Sequence, residues 1–330
     1  MEILKFAPLL MSLVWGGEKI APYKGIETEQ KNIGESWEIS AVPGKETLVS
    51  EGRFAGRSIT SLAEEFKGAL LGETVYAATG TLFPLLIKFI DAKTDLSVQV
   101  HPNDALAAAR HNGSKGKTEM WYVVGADQDA HLLSGLSQSI TPAEYERRVA
   151  DDSITEVLAR YNVAPGDVFF LPAGRIHAIC SGCFVAEIQQ TSDITYRIYD
   201  YGRLGLDGKP RQLHTEQAKD AIDYTVYPDY RTAYKPALNQ EVRLVSCPYF
   251  TTSLWELNEP VRKDLSGLDS FVVVMCLAGE ATLATEESQV TVRQGETVLV
   301  PATAQFLSLT PTAPASSSLP SAKLLTACIE

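Results

Sequence analysis

Residues 165–173 read Pro-Gly-Asp-Val-Phe-Phe-Leu-Pro-Ala, and residues 294–302 read Gln-Gly-Glu-Thr-Val-Leu-Val-Pro-Ala. Each stretch has a glycine followed by an acidic residue, a mainly apolar run of four residues, and a final Pro-Ala. A turn, a strand and a proline that ends the strand account for this order of residues. Because the pattern recurs in two β-rich halves of the chain, it favours a duplicated β-barrel.

Much of the remaining sequence also predicts short strands, separated by Gly, Pro, Asp and Asn. The clearest of these runs are Leu85–Ile90, Leu96–Val100, Met120–Val124, Val168–Leu171, Phe184–Ile188 and Lys323–Ile329. Helical patterns are confined to Ser58–Leu71, to the Thr-Pro-Ala-Glu sequence that starts at Thr141, and to the residues after Thr215. The sequence therefore predicts an all-β fold of two tandem jelly-roll barrels, with a few short helices inserted in and around the first.

The two halves are predicted to meet in the segment Asp223–Gln240, which has little periodicity. We place the boundary so that residues 1–235 form a metal-binding domain with small helical insertions and residues 236–330 form a second β domain. His177 lies five residues after Pro172, whereas Phe306 occupies the equivalent position after Pro301. The first domain is therefore expected to hold any site, and the second to lack metal ligands. Thr310–Leu319, rich in Thr, Pro, Ala and Ser, is predicted to be a loop.

Composition limits the partners that this chain can have. It has 330 residues, 29 Lys+Arg against 41 Asp+Glu, and a net charge of −12, which disfavours binding to nucleic acid. No apolar stretch approaches the roughly 18 residues of a membrane helix, and the apolar stretch Phe6–Trp15 is broken by Pro8 and lacks a cleavage site. A cytoplasmic protein with no nucleic-acid or membrane partner is expected, and an anionic small molecule can still bind where basic residues converge.

Four side chains are candidate metal ligands. In the predicted strand ending at His101, alternation directs Gln99 and His101 to the same face. His177 lies where a loop enters a strand, and Glu119 opens the strand Met120–Val124. Two imidazoles, a carboxylate and an amide oxygen suit Zn²⁺, and also Fe²⁺ or Mn²⁺. Hydrogen-bonded histidines near barrel rims, without a metal, are the alternative interpretation.

The surroundings of the second histidine resemble a known motif. Gly166-x5-Pro172-x-Gly174-x2-His177 is similar to the second cupin motif, apart from Ser181 where Asn is usual. Gln99 and His101 stand in place of the two histidines of the first cupin motif. Glu119 lies farther along than usual, after an inserted helical stretch at 103–111. The first half thus resembles a cupin with modified ligands.

This modification narrows the resemblance to one family, type I mannose-6-phosphate isomerase, in its short bacterial branch. The similar segments are Leu86–Lys93, Leu96–Asp104, Lys117–Trp121, Trp15–Gly17, Gly34–Ser40 and Glu187–Arg197. The resemblance runs from about Phe6 to Ile222, and the second half is matched only in general shape.

The resemblance implies one Zn²⁺ per chain and the reversible interconversion of mannose 6-phosphate and fructose 6-phosphate through a cis-enediol. The implied metal ligands are Gln99, His101, Glu119 and His177. Arg197, Glu187 and Lys117 correspond to residues at the reaction centre, and Lys88, Lys117 and Arg197 to residues that line the substrate site. A phosphosugar is the expected partner, and the chain is expected to be a monomer or a weak homodimer.

The physical chemistry of isomerisation agrees with these roles. The reaction needs a base for the proton next to the carbonyl and a positive charge to stabilise the enediolate. A divalent cation can act as the Lewis acid, and Arg197 adds a positive charge that is not lost near neutral pH. Lys88 interrupts an apolar strand, where an unpaired ammonium would be costly. Glu187 and a metal-bound hydroxide are both candidates for the base.

Other interpretations of the same residues remain open from the sequence. Two histidines and a carboxylate also describe a non-haem iron oxygenase, although Gln99 and the basic residues argue against it. A non-catalytic sugar-binding protein with two cupin domains is a third hypothesis. Arg197 could instead be a structural partner of Asp193 or Asp200. His111, His131 and His214 have no partner at metal spacing, and His214, just before the predicted helix cap Thr215, is expected at the surface.

Overall fold

The computed structural model describes residues 1–312 and 319–330, so most of the predicted loop Thr310–Leu319 lies outside the described residues. The chain is mostly β-sheet with few helices, as its short apolar runs predict. Its strands form three sheets of six, five and ten strands. None of these described sheets closes on itself, so the prediction of two closed barrels is not confirmed.

The described strands, numbered in chain order, have the following bounds: β1 Leu4–Ala7, β2 Leu9–Gly17, β3 Ile33–Ile39, β4 Leu48–Val49, β5 Leu85–Asp91, β6 Val98–Val100, β7 Glu119–Ala126, β8 His131–Leu136, β9 Leu158–Asn162, β10 Val168–Leu171, β11 His177–Ile179, β12 Cys183–Gln190, β13 Tyr196–Tyr199, β14 Glu241–Cys247, β15 Phe250–Leu257, β16 Val261–Asp264, β17 Val272–Ala284, β18 Gln289–Arg293, β19 Thr297–Val300, β20 Phe306–Pro311 and β21 Ala322–Cys328. The described helices are α1 Ile20–Lys24, α2 Ile59–Phe66, α3 Gly68–Leu71, α4 Glu73–Thr79, α5 Asp104–Arg110, α6 Pro142–Ala150 and α7 Thr215–Ala221, with a 3₁₀ helix at Ile154–Val157.

Helix ends follow the capping residues in the sequence. Ser58 accepts a hydrogen bond from the Ser61 amide at the start of α2, and Thr141 accepts one from the Glu144 amide at the start of α6. The predicted helix Ser58–Leu71 is interrupted, because Lys67 adopts a positive φ of 50° between α2 and α3. No helix in the described part of the chain is long and apolar enough to cross a membrane.

The six-stranded sheet has the order β10-β7-β12-β5-β3-β2, and its strands are all antiparallel. Its central strands β5 and β12 are buried along their whole length. Alternate side chains such as Phe89, Ala186 and Ile188 join a core shared with the C-terminal half. The side chains between them, including Lys88 and Glu187, face the other way. One face of this sheet therefore packs between the halves, and the other carries the candidate site.

The five-stranded sheet, β13-β6-β11-β8-β9, covers that second face. Leu132 and Ile179 from this sheet pack with Trp121, Val123 and Val185 from the six-stranded sheet. The opposite face of the five-stranded sheet packs against residues of α6, α7 and the 3₁₀ helix. The first half is thus a two-layer β structure with polar residues between its layers.

The C-terminal half is built on the ten-stranded sheet. Its main path runs β14-β15-β21-β17-β19-β1-β4, with β16, β18 and β20 attached through β17 and β20. The N-terminal strand β1 lies in this sheet, where Leu4 pairs with Leu299 and Phe6 with Val49. The chain therefore begins in the second sheet before it builds the first half, and the two halves share one apolar core.

The repeated sequence forms the same local structure twice. Gly166 and Gly295 adopt positive φ values of 99° and 82°, and strands β10 and β19 follow them and end immediately before proline. His177 opens β11, and Phe306 opens β20 at the equivalent position. The Phe306 ring lies 3.7 Å from the Arg262 guanidinium carbon. In the described C-terminal half this position is therefore used for packing.

Helix α1, which the sequence analysis did not predict, joins the two halves. Lys24 Nζ lies 2.8 Å from both Glu38 carboxylate oxygens, and the two side chains are only 3% and 2% exposed. The same ammonium also donates a hydrogen bond to the Gly295 carbonyl of the C-terminal half. The neighbouring Tyr23 hydroxyl donates to the Leu277 carbonyl at 2.7 Å. Because α1 binds both halves, it fixes their contact.

The buried ion pair gives the first prediction. We expect Lys24→Met or Glu38→Gln to lower the free energy of unfolding by about 3–5 kcal/mol, because each leaves a charge buried without its partner. The double variant Lys24→Met/Glu38→Leu should recover part of that loss. Urea unfolding monitored by tryptophan fluorescence measures both effects.

The exposed pair Lys93–Glu18, 3.5 Å apart, provides the control. Lys93→Ala should cost about 1 kcal/mol or less. Equal stability of wild type and Lys24→Met would contradict the proposed role of this ion pair.

Candidate active site

One row of side chains crosses the five-stranded sheet. Arg197 on β13 pairs with Gln99 on β6, which pairs with His177 at the start of β11. Residues directly opposite on neighbouring strands point to the same face. Arg197, Gln99 and His177 therefore all point toward the six-stranded sheet.

A second row lies on the facing sheet. Lys88 on β5 pairs with Glu187 on β12, which pairs with Trp121 on β7. Glu119, two residues before Trp121, lies on the same face. Alternation in the two sheets thus brings together residues that are far apart in the sequence.

His101, Glu119 and His177 form the centre of the site. Their potential ligand atoms all lie within 4.8 Å of one another, and all three residues are buried. Glu119 Oε1 is 3.3 Å from His177 Nε2, and Glu119 Oε2 is 3.5 Å from His101 Nε2. Gln99 Nε2 lies 3.3 Å from His177 Nε2. The four side chains predicted as metal ligands are therefore neighbours in the structure.

Backbone carbonyls set the protonation of both histidines. His101 Nδ1 donates to the Ile194 carbonyl at 2.9 Å, and His177 Nδ1 donates to the Arg175 carbonyl at 2.7 Å. Since a carbonyl oxygen can only accept, each Nδ1 carries the proton and each Nε2 presents a lone pair. This is the usual arrangement of a metal-binding histidine.

The electrostatics of this group fit a divalent cation. Burial lowers the pKa of His177 to about 3, and burial together with Lys117 lowers the pKa of His101 well below its usual value. Both imidazoles are therefore neutral near pH 7. Glu119 Oε1 receives no hydrogen bond, and Oε2 has the Lys117 ammonium 2.7 Å away. Two lone pairs and a carboxylate oxygen without a donor thus converge among buried residues.

Lys117 is held at the centre by a tightly bound loop. Its ammonium lies 3.2 Å from His101 Nε2, and its backbone amide donates to the Pro102 carbonyl. The next residue, Thr118, donates its amide to Gln190 Oε1 at 2.8 Å. Gly116 lies so close to the Asn103 carbonyl carbon that a Cβ there would be 2.6 Å from it. Only glycine allows this approach, which buries Lys117 beside the histidines.

Lys88 and Glu187 form the second charged group. Glu187 Oε1 is 3.3 Å from Lys88 Nζ, and Glu187 Oε2 accepts a hydrogen bond from Trp121 Nε1 at 2.8 Å. Burial acts to raise the pKa of Glu187, but Lys117 and Lys88 lower it. Burial acts to lower the pKa of Lys88, but Glu35, Glu187 and Glu119 raise it. Both groups are therefore charged near neutral pH.

Arg197 lies beside Gln99 on the facing five-stranded sheet. Its guanidinium donates through one terminal nitrogen to the Gln212 carbonyl at 3.0 Å, while its buried Nε has no hydrogen-bond partner in the described structure. Asp200, which the sequence suggested as a structural partner, instead accepts hydrogen bonds from Arg203 and Arg211. Arg197 thus retains an unused donor.

Three residues of the site had no role in the sequence analysis. Glu35 lies 3.6 Å from Lys88 and accepts a hydrogen bond from Trp37, and Trp121 orients Glu187. His214 was expected at the surface, but it is partly buried and hydrogen-bonds to the Arg197 backbone. Strand alternation indicated that Trp121 shares a face with Glu119, whereas the Glu35 and His214 contacts depend on the fold.

A cavity of about 980 Å³ between α4 and the C-terminal half is separate from this group. Gln190 and Asp104, which hold the loop before Lys117, are among the residues that line this cavity. None of the predicted site residues lines it.

Comparisons with known proteins identify the family of this chain. Residues 3–128 match the family model for the type I phosphomannose isomerase catalytic domain, and residues 240–315 match that for the mannose-6-phosphate isomerase cupin domain. Mannose-6-phosphate isomerase ManA of Bacillus subtilis (strain 168) is 33% identical over 302 residues, or 91% of this chain and 93% of the relative. The chain belongs to the type I phosphomannose isomerase family.

Other similar proteins also align with most of this chain. The mannose-6-phosphate isomerase of Streptococcus mutans is 33% identical over 88% of this chain and 89% of its own length. The crystal structure of the Bacillus subtilis mannose 6-phosphate isomerase superposes with a TM-score of 0.87 at 28% identity, covering 99% of both chains. A phosphomannose isomerase variant from Salmonella typhimurium, at 17% identity and a TM-score of 0.78, shares the fold over the full length of both chains.

The donor set predicts a metal-binding property that does not depend on activity. We expect the wild-type protein, after dialysis against a chelator, to bind one divalent cation per chain. Glu119→Gln should lower the affinity more than about 100-fold, because it removes the only carboxylate of the set. Competition titration of Zn²⁺ against a chromophoric chelator measures both.

His131→Gln is the control, because the His131 ring lies outside the group and its Nδ1 hydrogen-bonds to the Asp129 carbonyl. It should bind metal as wild type does. Equal affinities of the wild-type and Glu119→Gln proteins would show that these residues do not bind a metal.

Proposed function

We propose that this protein is a zinc-dependent aldose–ketose isomerase that interconverts mannose 6-phosphate and fructose 6-phosphate through an enediol intermediate. The observation that carries the proposal is the convergence of two imidazole lone pairs and the Glu119 carboxylate beside the buried lysines Lys88 and Lys117. The named activities of relatives that span about nine-tenths of this chain support it.

Gln99, His101, Glu119 and His177 would hold one Zn²⁺. When bound, the ion would supply Lewis acidity to the sugar oxygens at C1 and C2. The carbonyls of Ile194 and Arg175 keep both imidazoles in the metal-binding tautomer. Rotation of the Gln99 amide by 180° would direct its oxygen toward the group, since the positions of the amide oxygen and nitrogen are interchangeable.

The charges of the site suit a phosphosugar. Three carboxylates, those of Glu35, Glu119 and Glu187, are in or beside the group, as are the cations Lys88, Lys117 and Arg197. Burial raises the pKa of Glu119 to about 7, and a bound cation would keep this carboxylate ionised. With all six groups ionised their charges balance, so a divalent cation leaves an excess of about two positive charges. A phosphate monoester carries roughly −1.5 to −2 at pH 7. The site can therefore accept such an anion although the whole chain has a net charge of −12.

Glu187 is the residue we assign to proton transfer between C1 and C2. Trp121 holds its Oε2, which leaves Oε1 with a free lone pair beside Lys88. The lowered pKa of Glu187 keeps the carboxylate ionised at neutral pH, in the form that can accept a proton, although the same shift makes it a weaker base. Developing negative charge on the enediolate would be stabilised by Lys117 and by the unpaired Nε–H of Arg197. Lys88, Lys117 and Arg197 would also bind the substrate.

We further propose that residues 1–235 form the catalytic cupin domain and that residues 236–330 form a second cupin domain with no metal. The second domain would support the first through the shared core and helix α1. The cysteines in the described structure are free thiols, which is consistent with the proposed cytoplasmic location.

A coupled assay tests the proposal directly. Purified protein should convert mannose 6-phosphate to fructose 6-phosphate, lose this activity after chelation and regain it when Zn²⁺ is added. Folded, metal-loaded protein without activity would refute the isomerase assignment and favour a sugar-binding role. Activity restored by Fe²⁺ and not by Zn²⁺ would refute the choice of metal.

Substitution of Arg197 distinguishes a catalytic protein from one that only binds the sugar. We expect Arg197→Ala to lower kcat by about 100–1,000-fold, because it removes a charged donor from the developing oxyanion. Arg197→Lys should restore little, since an ammonium lacks the planar fork of the guanidinium. Steady-state kinetics measure both variants.

Arg243→Ala is the control, because Arg243 is exposed and pairs with Glu330 far from the site. Unchanged kcat in Arg197→Ala would contradict the catalytic role of Arg197.

A further inference from the structure

Arg197 lies on an edge strand, which leaves its backbone without a strand partner on one side. β13 is the terminal strand of the five-stranded sheet, and Arg197 lies opposite Gln99 of β6. In an antiparallel ladder, alternate residues turn both N–H and C=O away from the partner strand. On an edge, such groups face solvent unless another segment binds them.

His214 binds both of these groups. The Arg197 amide donates to His214 Nδ1 at 3.1 Å, and the His214 amide donates to the Arg197 carbonyl at 2.7 Å. Two residues earlier, the Gln212 carbonyl accepts a hydrogen bond from the Arg197 guanidinium at 3.0 Å. Arg197 is therefore held at three points by one short segment, which we name the clasp (residues 212–214).

The His214 side chain is available for this contact because it does not serve its own helix. His214 is the N-cap of α7, its carbonyl accepts the first helical hydrogen bond from Ala218, and its side chain makes no capping bond. Its Nδ1 must be unprotonated to accept from Arg197, so the ring is the neutral Nε2–H tautomer. Burial and the nearby Arg197 lower the pKa of His214, which favours this neutral form.

The start of the clasp is also fixed. Arg211, next to Gln212, donates two hydrogen bonds to the Asp200 carboxylate, at 2.6 and 2.7 Å. Arg203 donates to the same carboxylate at 2.9 Å. Such bidentate charged pairs are geometrically specific. The loop between Asp200 and Arg211 is thereby closed, and the clasp has a defined position beside β13.

We propose that His214 is a positioning residue that aligns the Arg197 guanidinium with the reacting sugar. This inference rests on the proposed isomerase function. His214 acts through the Arg197 backbone and does not itself touch the substrate. A displacement of about 1 Å at a catalytic group can cost roughly 100-fold in rate, so loss of the clasp should affect kcat.

Three substitutions at one position test the contact. The amide oxygen of Asn can take the place of His214 Nδ1, whereas Gln is one methylene longer and Ala has no acceptor. We expect His214→Ala and His214→Gln to lower kcat about 10–100-fold with wild-type metal content, and His214→Asn to retain most of it. His131→Asn, at a histidine outside the site, should be unchanged. Parallel losses of kcat and melting temperature in all three His214 variants would indicate a structural role and overturn the inference.

A double-mutant cycle distinguishes positioning from general damage. If His214 acts only through the Arg197 side chain, His214→Gln should not reduce kcat further in the Arg197→Ala background. Multiplicative losses in the double variant would overturn the inference. Hydrogen exchange at the Arg197 amide gives a readout without substrate, and it should be faster in His214→Ala than in wild type.

The outcomes for the two proposals are distinct. Inactive, metal-loaded wild-type protein would overturn the isomerase function, and with it the positioning role. Active wild-type protein with normal kcat in His214→Ala and His214→Gln would overturn only the role of His214.

Discussion

Two imidazole lone pairs and a carboxylate repel one another in a space without water, and their close approach requires positive charge between or beside them. In this protein hydrogen bonds and burial hold the three side chains together. Carbonyl acceptors fix the tautomers of His101 and His177, and Glu119 is fully buried at the start of a central strand. Lys117 supplies one positive charge beside them. The two sheets and the loop before Lys117 thus hold an electron-rich group together, and the proposed divalent cation would complete it.

Strands, turns and helix caps that depend on neighbouring residues could be predicted from the sequence. The strands β5 and β12, the cap at Thr141, and the turn before β10 and β19 depend on neighbouring residues, and the structure confirms them. The pairing of β1 with the C-terminal sheet and the buried Lys24–Glu38 pair join distant segments. No periodicity in the sequence encodes such contacts. Whether the sheets close is likewise a property of the whole assembly, and the described sheets are open.

The candidate site shows the same division. The chemistry of four side chains is visible in the sequence, and together with the family resemblance it identifies them as candidate metal ligands: Gln99, His101, Glu119 and His177. The partners that orient them are ordinary residues. In the sequence, Trp121 is one residue of a predicted strand, and His214 is a residue expected at the surface before a predicted helix cap. Their roles depend on the fold, which brings Trp121 to Glu187 and His214 to the Arg197 backbone. The expectation for His214 was wrong because its ring binds another strand and not its own helix.

The C-terminal half can control the site without touching the group around Glu119. On β12, Ala186 and Ile188 belong to the core that joins the halves, while Glu187 and Gln189 lie on the face that carries the site. Because side chains alternate with a period of two, a slip of one residue would exchange these faces and bury Glu187 against the second half. Packing against the C-terminal sheet therefore fixes the register of β12. That register, in turn, keeps Glu187 opposite Lys88 and Glu119 opposite Gln189. The C-terminal half thus contributes to the chemistry by making a one-residue slip of β12 unstable.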